Sequence, residues 1–148
     1  MKTTDLAYMA GIFDGEGCIS IFKYDASHSY SYGLDVCIGM ANKYMPELFY
    51  LNFGGRLYGY QPKRGKYVWY WHIHSFEAGD FLETVLSYLR LKRNEAELAI
   101  EFLKGKKKEI PRSLRRYTEG ERAVMEAQRI LMQHMKDKSV FQPTTEAV

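Results

Sequence analysis

The chain reads as an α+β protein with the element order α-ββ-α-ββ-α-α. Three observations predict this. Apolar residues recur at helical spacing in several separate segments, two pairs of short segments alternate apolar and polar with period 2, and Gly- or Pro-bearing turns punctuate the boundaries. A length of 148 residues with 46% hydrophobic and 26% charged residues is enough for a compact core, and it excludes collagen-like repeats and intrinsic disorder. The pattern divides into a core over residues 1–104 and a basic C-terminal extension over 105–148 that contains one amphipathic helix.

The first helix is expected from Asp5, capped by Thr4, with Ala7, Ala10 and Gly11 as a small-residue stripe at i, i+3 and i+4. It should end near Asp14-Gly15-Glu16-Gly17, because two glycines in three residues form helix poorly. Ile19-Ser20-Ile21 starts a strand, a polar loop runs through Asp25 to Ser29, and Leu34, Val36 and Ile38 share one face of a second strand. Asn42 caps a helix over 43–53 bearing Met45, Leu48, Phe49 and Asn52, and Gly54-Gly55 closes it.

A second hairpin has one strand near 56–60, a turn at Pro62-Lys63-Arg64-Gly65 and a return strand over 67–74. Its return strand places Trp69, Trp71 and Ile73 on one side and Val68, Tyr70, His72 and His74 on the other. Phe81, Leu82, Val85, Leu86 and Leu89 mark one further helix, and Ala96, Ala99, Ile100 and Leu103 another. Thr118 and Glu121 have capping-box spacing ahead of a last helix, whose apolar face is Ala123, Ala127, Ile130, Leu131 and His134. From Ser139 the tail reads as loose.

No stretch approaches the roughly 18 apolar residues of a membrane span. The N-terminus has no signal-peptide pattern, so an intracellular setting is expected: bacterial or phage cytoplasm, or synthesis inside an organelle. Cys18 and Cys37 form no disulfide framework and no zinc spacing, and read as reduced thiols. The net charge of +3 identifies no partner, but its distribution does. Between Phe53 and Ser75 there is no acid, while Arg56, Lys63, Arg64 and Lys66 alternate with tyrosines and tryptophans. Lys104 to Arg116 holds seven bases against Glu109. Two such surfaces on a nearly balanced chain point to a polyanion, with a solvated linker and an aromatic-rich sheet as the plainer alternative.

Asp14 and Glu16 stand at the C-terminal end of a helix, where the dipole disfavours anions. A bound cation would resolve this, and a hard divalent ion such as Mg2+ suits carboxylates beside phosphate oxygens. A cap made of Asp and Gly, with the small residues packed in the chain's own core, accounts for the same spacing. If the small stripe instead meets the same helix of a second copy, both Glu16 side chains approach a two-fold axis.

Met9-Ala10-Gly11-Ile12-Phe13-Asp14-Gly15-Glu16-Gly17 resembles the nine-residue signature of the LAGLIDADG homing endonucleases, with both glycines and both acids in register. The likeness extends over residues 4–104 and includes Leu91-Lys92-Arg93-Asn94-Glu95-Ala96, similar to the family's Leu-Lys segment. It implies an αββαββα LAGLIDADG homing-endonuclease-like fold, an antiparallel β-saddle over the DNA major groove, and paired signature helices with the active centre at their lower ends. Only one signature occurs, so the resemblance implies a homodimer on a long pseudo-palindromic site, with Ala7, Ala10, Gly11 and Asp14 at the dimer interface.

The resemblance further implies an intron-encoded or mobile-element DNA endonuclease, dependent on Mg2+ with Mn2+ as an alternative ion, that leaves short 3′ overhangs. Glu16, with Gly15 beside it, would hold the metal, and Lys92 would stabilise charge or orient water. No membrane and no small-molecule cofactor are expected. The family's water-positioning polar residue has no clear counterpart in Ile38-Gly39-Met40-Ala41-Asn42, and Asn42 and Gln61 are the substitutes. That departure favours the rival, a cleavage-deficient RNA maturase or DNA-binding regulator; a metal-free protein-interaction module is the remaining class. By alternation, DNA contacts fall to Ser20, Phe22, Tyr24, Asp35, Cys37, Tyr58, Tyr60, Gln61, Tyr70 and His72, with Lys63, Arg64 and Lys66 on phosphates. Lys104 to Arg116 would grip flanking backbone.

Overall fold

A computed structural model describes residues 1–26 and 29–137. The tail from Ser139, and Ser27 and His28 of the first hairpin loop, lie outside the described residues. The elements are α1 (Thr3–Glu16), β1 (Gly17–Ala26), β2 (Ser29–Met40), α2 (Tyr44–Phe53), β3 (Arg56–Tyr60), β4 (Val68–His74), α3 (Ser75–Val85), α4 (Arg93–Lys104) and α5 (Glu119–Asp137). Short 3-10 turns cover Leu86–Tyr88 and Arg112–Leu114.

All strand pairs are antiparallel, in the order β1-β2-β4-β3. Alternation puts Ile19, Ile21, Leu34, Val36, Ile38, Trp71 and Ile73 on one face, all buried. Helices cover that face and leave the other open, with Phe13, Phe49, Phe81 and Phe102 completing the core. Trp71 is its centre: its ring lies 5.0 Å from Phe49 and 5.1 Å from Phe81, and its indole N–H donates to the Gly54 carbonyl at 2.7 Å. That bond fixes the end of α2 against β4, where Gly54 and Gly55 take positive φ values of 75° and 87°.

Several expectations need correction. Thr4 lies inside α1, whose capping residue is Lys2, and no side chain caps it. The first two strands run well past the short apolar alternations that announced them, because Phe22, Tyr24, Tyr30 and Tyr32 mix apolar body with polar tip and blur the period. α5 shows the expected reciprocal capping box between Thr118 and Glu121, but it turns the other way. Met125 and Met132 are buried in the core, while Ala123, Ala127, Ile130, Leu131 and His134 are exposed. Between the two methionines Arg129 pairs with Glu126, and that acid in turn hydrogen-bonds the buried Tyr32 on β2. The two buried methionines set the rotation of α5 against the sheet, with the Glu126–Arg129 pair between them.

Candidate active centre and nucleic-acid interface

The two carboxylates of the α1 end do different things. Asp14 is buried and its carboxylate accepts backbone N–H groups from Arg90 at 2.8 Å, Leu91 at 3.0 Å and Lys92 at 2.9 Å. Those donors lead into α4, so Asp14 is an anion at the positive end of that helix. Lys92 answers it, its ammonium donating to the Asp14 carbonyl at 2.8 Å, a cation at the negative end of α1. The two chain segments are clasped in both directions, and Lys92 is held two residues from Glu16. The pairing with α4 removes Asp14 from the helix-end paradox and from a free interface.

Glu16 remains: exposed, and without a hydrogen bond or ion pair among the described residues. A hard oxygen donor at a helix C-terminus, beside a lysine, fits a hard divalent cation shared with a phosphate. Gly15 is exposed next to it.

The α1 face also differs from the expected stripe. Ala10 is fully buried in the chain's own core with Met9 and Phe13, so it cannot meet a second copy. Ala7, Tyr8, Gly11 and Gly15 form the outward face instead, and a methyl group added at Gly11 or Gly15 would meet nothing within 4 Å.

On the sheet, the expected side assignment agrees with the structure. Ser20, Phe22, Tyr24, Asp35, Cys37, Tyr58, Tyr60, Tyr70 and His72 all stand on the open face, opposite the buried set. Tyr58 stacks on Tyr70 and on His72, with ring centroids 5.6 and 5.5 Å apart. Lys63, Arg64 and Lys66 are exposed in the β3–β4 loop.

The two candidates for the missing polar residue separate. Ile38, opposite Gly17 across β1 and β2, is buried and supplies no polar group. Asn42 follows β2 just ahead of α2, and its Oδ1 accepts the Tyr44 N–H at 2.9 Å. Gln61 does not reach the centre: it belongs to the β3 edge, three strands or about 14 Å from β1. Its amide donates to the Pro62 and Gly65 carbonyls at 3.1 Å, closing its own turn.

The basic segment divides as well. Lys106 donates to the Tyr32 carbonyl at 2.6 Å, and burial pulls its pKa down. Lys104 pairs with Glu101 and Lys107 with Glu121. Arg112, Arg115 and Arg116 instead line a cavity of about 860 Å3 with Tyr24, Tyr117 and Arg122, the guanidinium of Arg112 lying over the Tyr24 ring at 5.2 Å.

Two clusters escaped the sequence. Lys136, from α5, reaches Ser20 Oγ at 2.9 Å and Cys18 Sγ at 3.3 Å, beside the α1 end. The Cys18 thiol is pulled down to about 5 by its hydrogen bond with Cys37, with Ser20 and Lys136 adding to this against burial. Cys37 is pushed up, by Cys18 first and then by burial. Glu95 is raised by burial, with Lys92 and Lys136 opposing. The second cluster is Asp35, whose Oδ1 lies 2.9 Å from Nδ1 of both His72 and His74. The first depends on how α5 docks beside β1, and the second on the register of β2 against β4.

No family model matches the sequence, and no curated protein is found similar to it. Solved structures are. The homing endonuclease I-CvuI, bound to the I-CreI target in the presence of Mg with the DNA not cleaved, superposes with a TM-score of 0.73 at 15% identity over 94% of this chain and 86% of that one. The archaeal intron-encoded homing endonuclease I-Vdi141I, complexed with DNA, gives 0.60 at 13% identity over 90% and 97%. The meganuclease I-SmaMI, bound to uncleavable DNA, gives 0.68 at 14% identity over 90% of this chain and 46% of that one. The chain has the LAGLIDADG homing endonuclease fold. No helix among the described residues is long and apolar enough to cross a membrane.

Proposed function

We propose that this fold works here as a homodimeric, divalent-metal-dependent, site-specific DNA endonuclease. The observation that carries the reading is the Asp14 clasp: it leaves Glu16 exposed and, among the described residues, unpaired, while delivering Lys92 to the same helix end. Lys92 already serves the α1 end internally, but among the described residues nothing partners the Glu16 carboxylate, and a metal held against a phosphodiester would. Glu16 would hold the ion, which would supply Lewis-acid activation of water and of the scissile phosphate. Lys92 would stabilise the developing charge. Asn42 is the remaining candidate to orient water, since Ile38 is apolar and Gln61 is distant.

The outward stripe of Ala7, Gly11 and Gly15 supports pairing of α1 with its copy, which would double the open sheet into a saddle and bring two Glu16 residues together. The chain's match to nearly all of I-CvuI and I-Vdi141I, but to under half of I-SmaMI, agrees with one unit per subunit. The tyrosines and His72 would read bases, and Lys63, Arg64, Lys66 and the arginines beside Tyr24 would hold backbone. Ile38 in place of a polar residue favours the second reading, a regulator or RNA maturase that binds without cutting.

The test uses the protein's own gene neighbourhood rejoined at the insertion point, with Mg2+ or Ca2+. The endonuclease reading expects binding with either ion and strand cuts with Mg2+, and Glu16→Gln should bind but not cut. Binding by the unaltered protein without Mg2+-dependent cuts would establish the second reading instead.

A further inference from the structure

We propose that the open sheet face carries a separate metal site of the zinc class, made by Asp35, Cys37 and His72, with His74 placed as a fourth donor. Asp35 and Cys37 stand two residues apart on β2, and His72 and His74 two apart on β4, so all four project from the same face. The register squares them, with Asp35 opposite His74 and Cys37 opposite His72. One ligand atom each from Asp35, Cys37 and His72 lies within 4.8 Å of the others, and His74 Nδ1 is 2.9 Å from Asp35 Oδ1. Tetrahedral zinc with bonds of about 2.0–2.3 Å needs its donors about 3.3–3.7 Å apart, so movements of about 1 Å bring the Asp35, Cys37 and His72 donors into range, and His74, outside that group, turns from Asp35 to complete the shell.

Asp35, Cys37 and His72 are half-buried, and Asp35, His72 and the exposed His74 line a concavity of about 500 Å3 beside Cys37, which leaves an entry path. Thiolate and imidazole select zinc-class ions over Mg2+, so this site and the Glu16 carboxylate would sort different metals. Arg56 lines the same concavity and opposes the added charge, while the Asp35 carboxylate and the Cys37 thiolate, whose proton leaves to solvent on binding, offset it. An ion seated there would withdraw Asp35, Cys37 and His72 from a duplex and weaken DNA binding. That consequence rests on the endonuclease reading; the site does not.

The experiment titrates the purified full chain with Co2+ under reducing conditions. The expected result is one tight equivalent per chain, with a thiolate-to-cobalt charge-transfer band and the strong absorption of four-coordinate cobalt, both removed by Zn2+ and untouched by excess Mg2+. Cys37→Ser should abolish the charge-transfer band, and His72→Gln and Asp35→Asn should each weaken binding at least about tenfold. Cys18→Ser should leave the band in place. Circular dichroism checks each fold, and if Cys37→Ser unfolds, His72→Gln and Asp35→Asn decide. Absence of the band, its survival in Cys37→Ser, or full affinity in both His72→Gln and Asp35→Asn would overturn the site. Tight cobalt with these dependences on a protein that binds no duplex would uphold it and count only against the endonuclease reading.

Discussion

Removing the Asp14 carboxylate tests whether the clasp both holds the fold and places Lys92. Asp14→Ala leaves three backbone N–H groups, those of Arg90, Leu91 and Lys92, without their acceptor in a site where the side chain was only 8% exposed. Hydrogen bonds to a charged group contribute about 1.5–3 kcal/mol each, but loosening of this turn would let water reach some of the donors. A net loss of about 3–5 kcal/mol follows, the range for stripping one member from a buried charged network. For a chain of this size that lowers Tm by about 6–20 °C. Thermal melts followed by circular dichroism measure it. Asp14→Asn should fall between, since its amide keeps one acceptor but turns a donor toward donors. In the folded fraction of either variant, cutting should fall more than DNA binding, because the Lys92 backbone loses the carboxylate that fixes it and its ammonium keeps only the main-chain carbonyl. A melt within about 2 °C of the parent for Asp14→Ala would show that the three N–H groups have other partners and would refute the reasoning.

Other outcomes follow from the same structure. Gly11→Leu should leave the melt of the isolated chain nearly unchanged, since the added group meets nothing within 4 Å, yet abolish dimers in sedimentation. Arg129 first, and then Tyr32, hold the Glu126 carboxyl down to about 2. A depressed acid stabilises the fold above its ordinary pKa and loses that contribution as pH falls from about 4.5 toward 2. Acid melts should therefore show α5 loosening in that window, and Glu126→Gln should flatten the dependence. Replacing Arg112, Arg115 and Arg116 by Gln should weaken binding to all duplex sequences alike and make it less salt-dependent, as a filter-binding series in rising salt would show.

How much of this the sequence contains depends on the range of the interaction. Period 2 alone sorted the strand residues onto the open and buried faces, because alternation is a local geometric necessity once a strand forms. The nine residues from Met9 to Gly17 marked the end of α1 as a site of chemistry. They could not show which carboxylate was free, since the donors that occupy Asp14 lie 76 to 78 residues away. The α5 face is not legible in the sequence for a similar reason. Two flexible methionines and an arginine dock it, while the more conspicuous Ile130 and Leu131 face outward, so only tertiary packing decided the rotation. Lys136 beside Cys18, and Asp35 between two histidines, depend on register and on docking of the last helix, neither of which has a one-dimensional signal.

The most direct test of the account is to map the 5′ and 3′ ends produced on each strand when the protein meets its rejoined target with Mg2+. Two Glu16 residues at a two-fold axis predict one break per strand at symmetric positions, offset to leave short 3′ overhangs. Blunt ends, breaks on one strand only, or equal cutting by Glu16→Gln would contradict it.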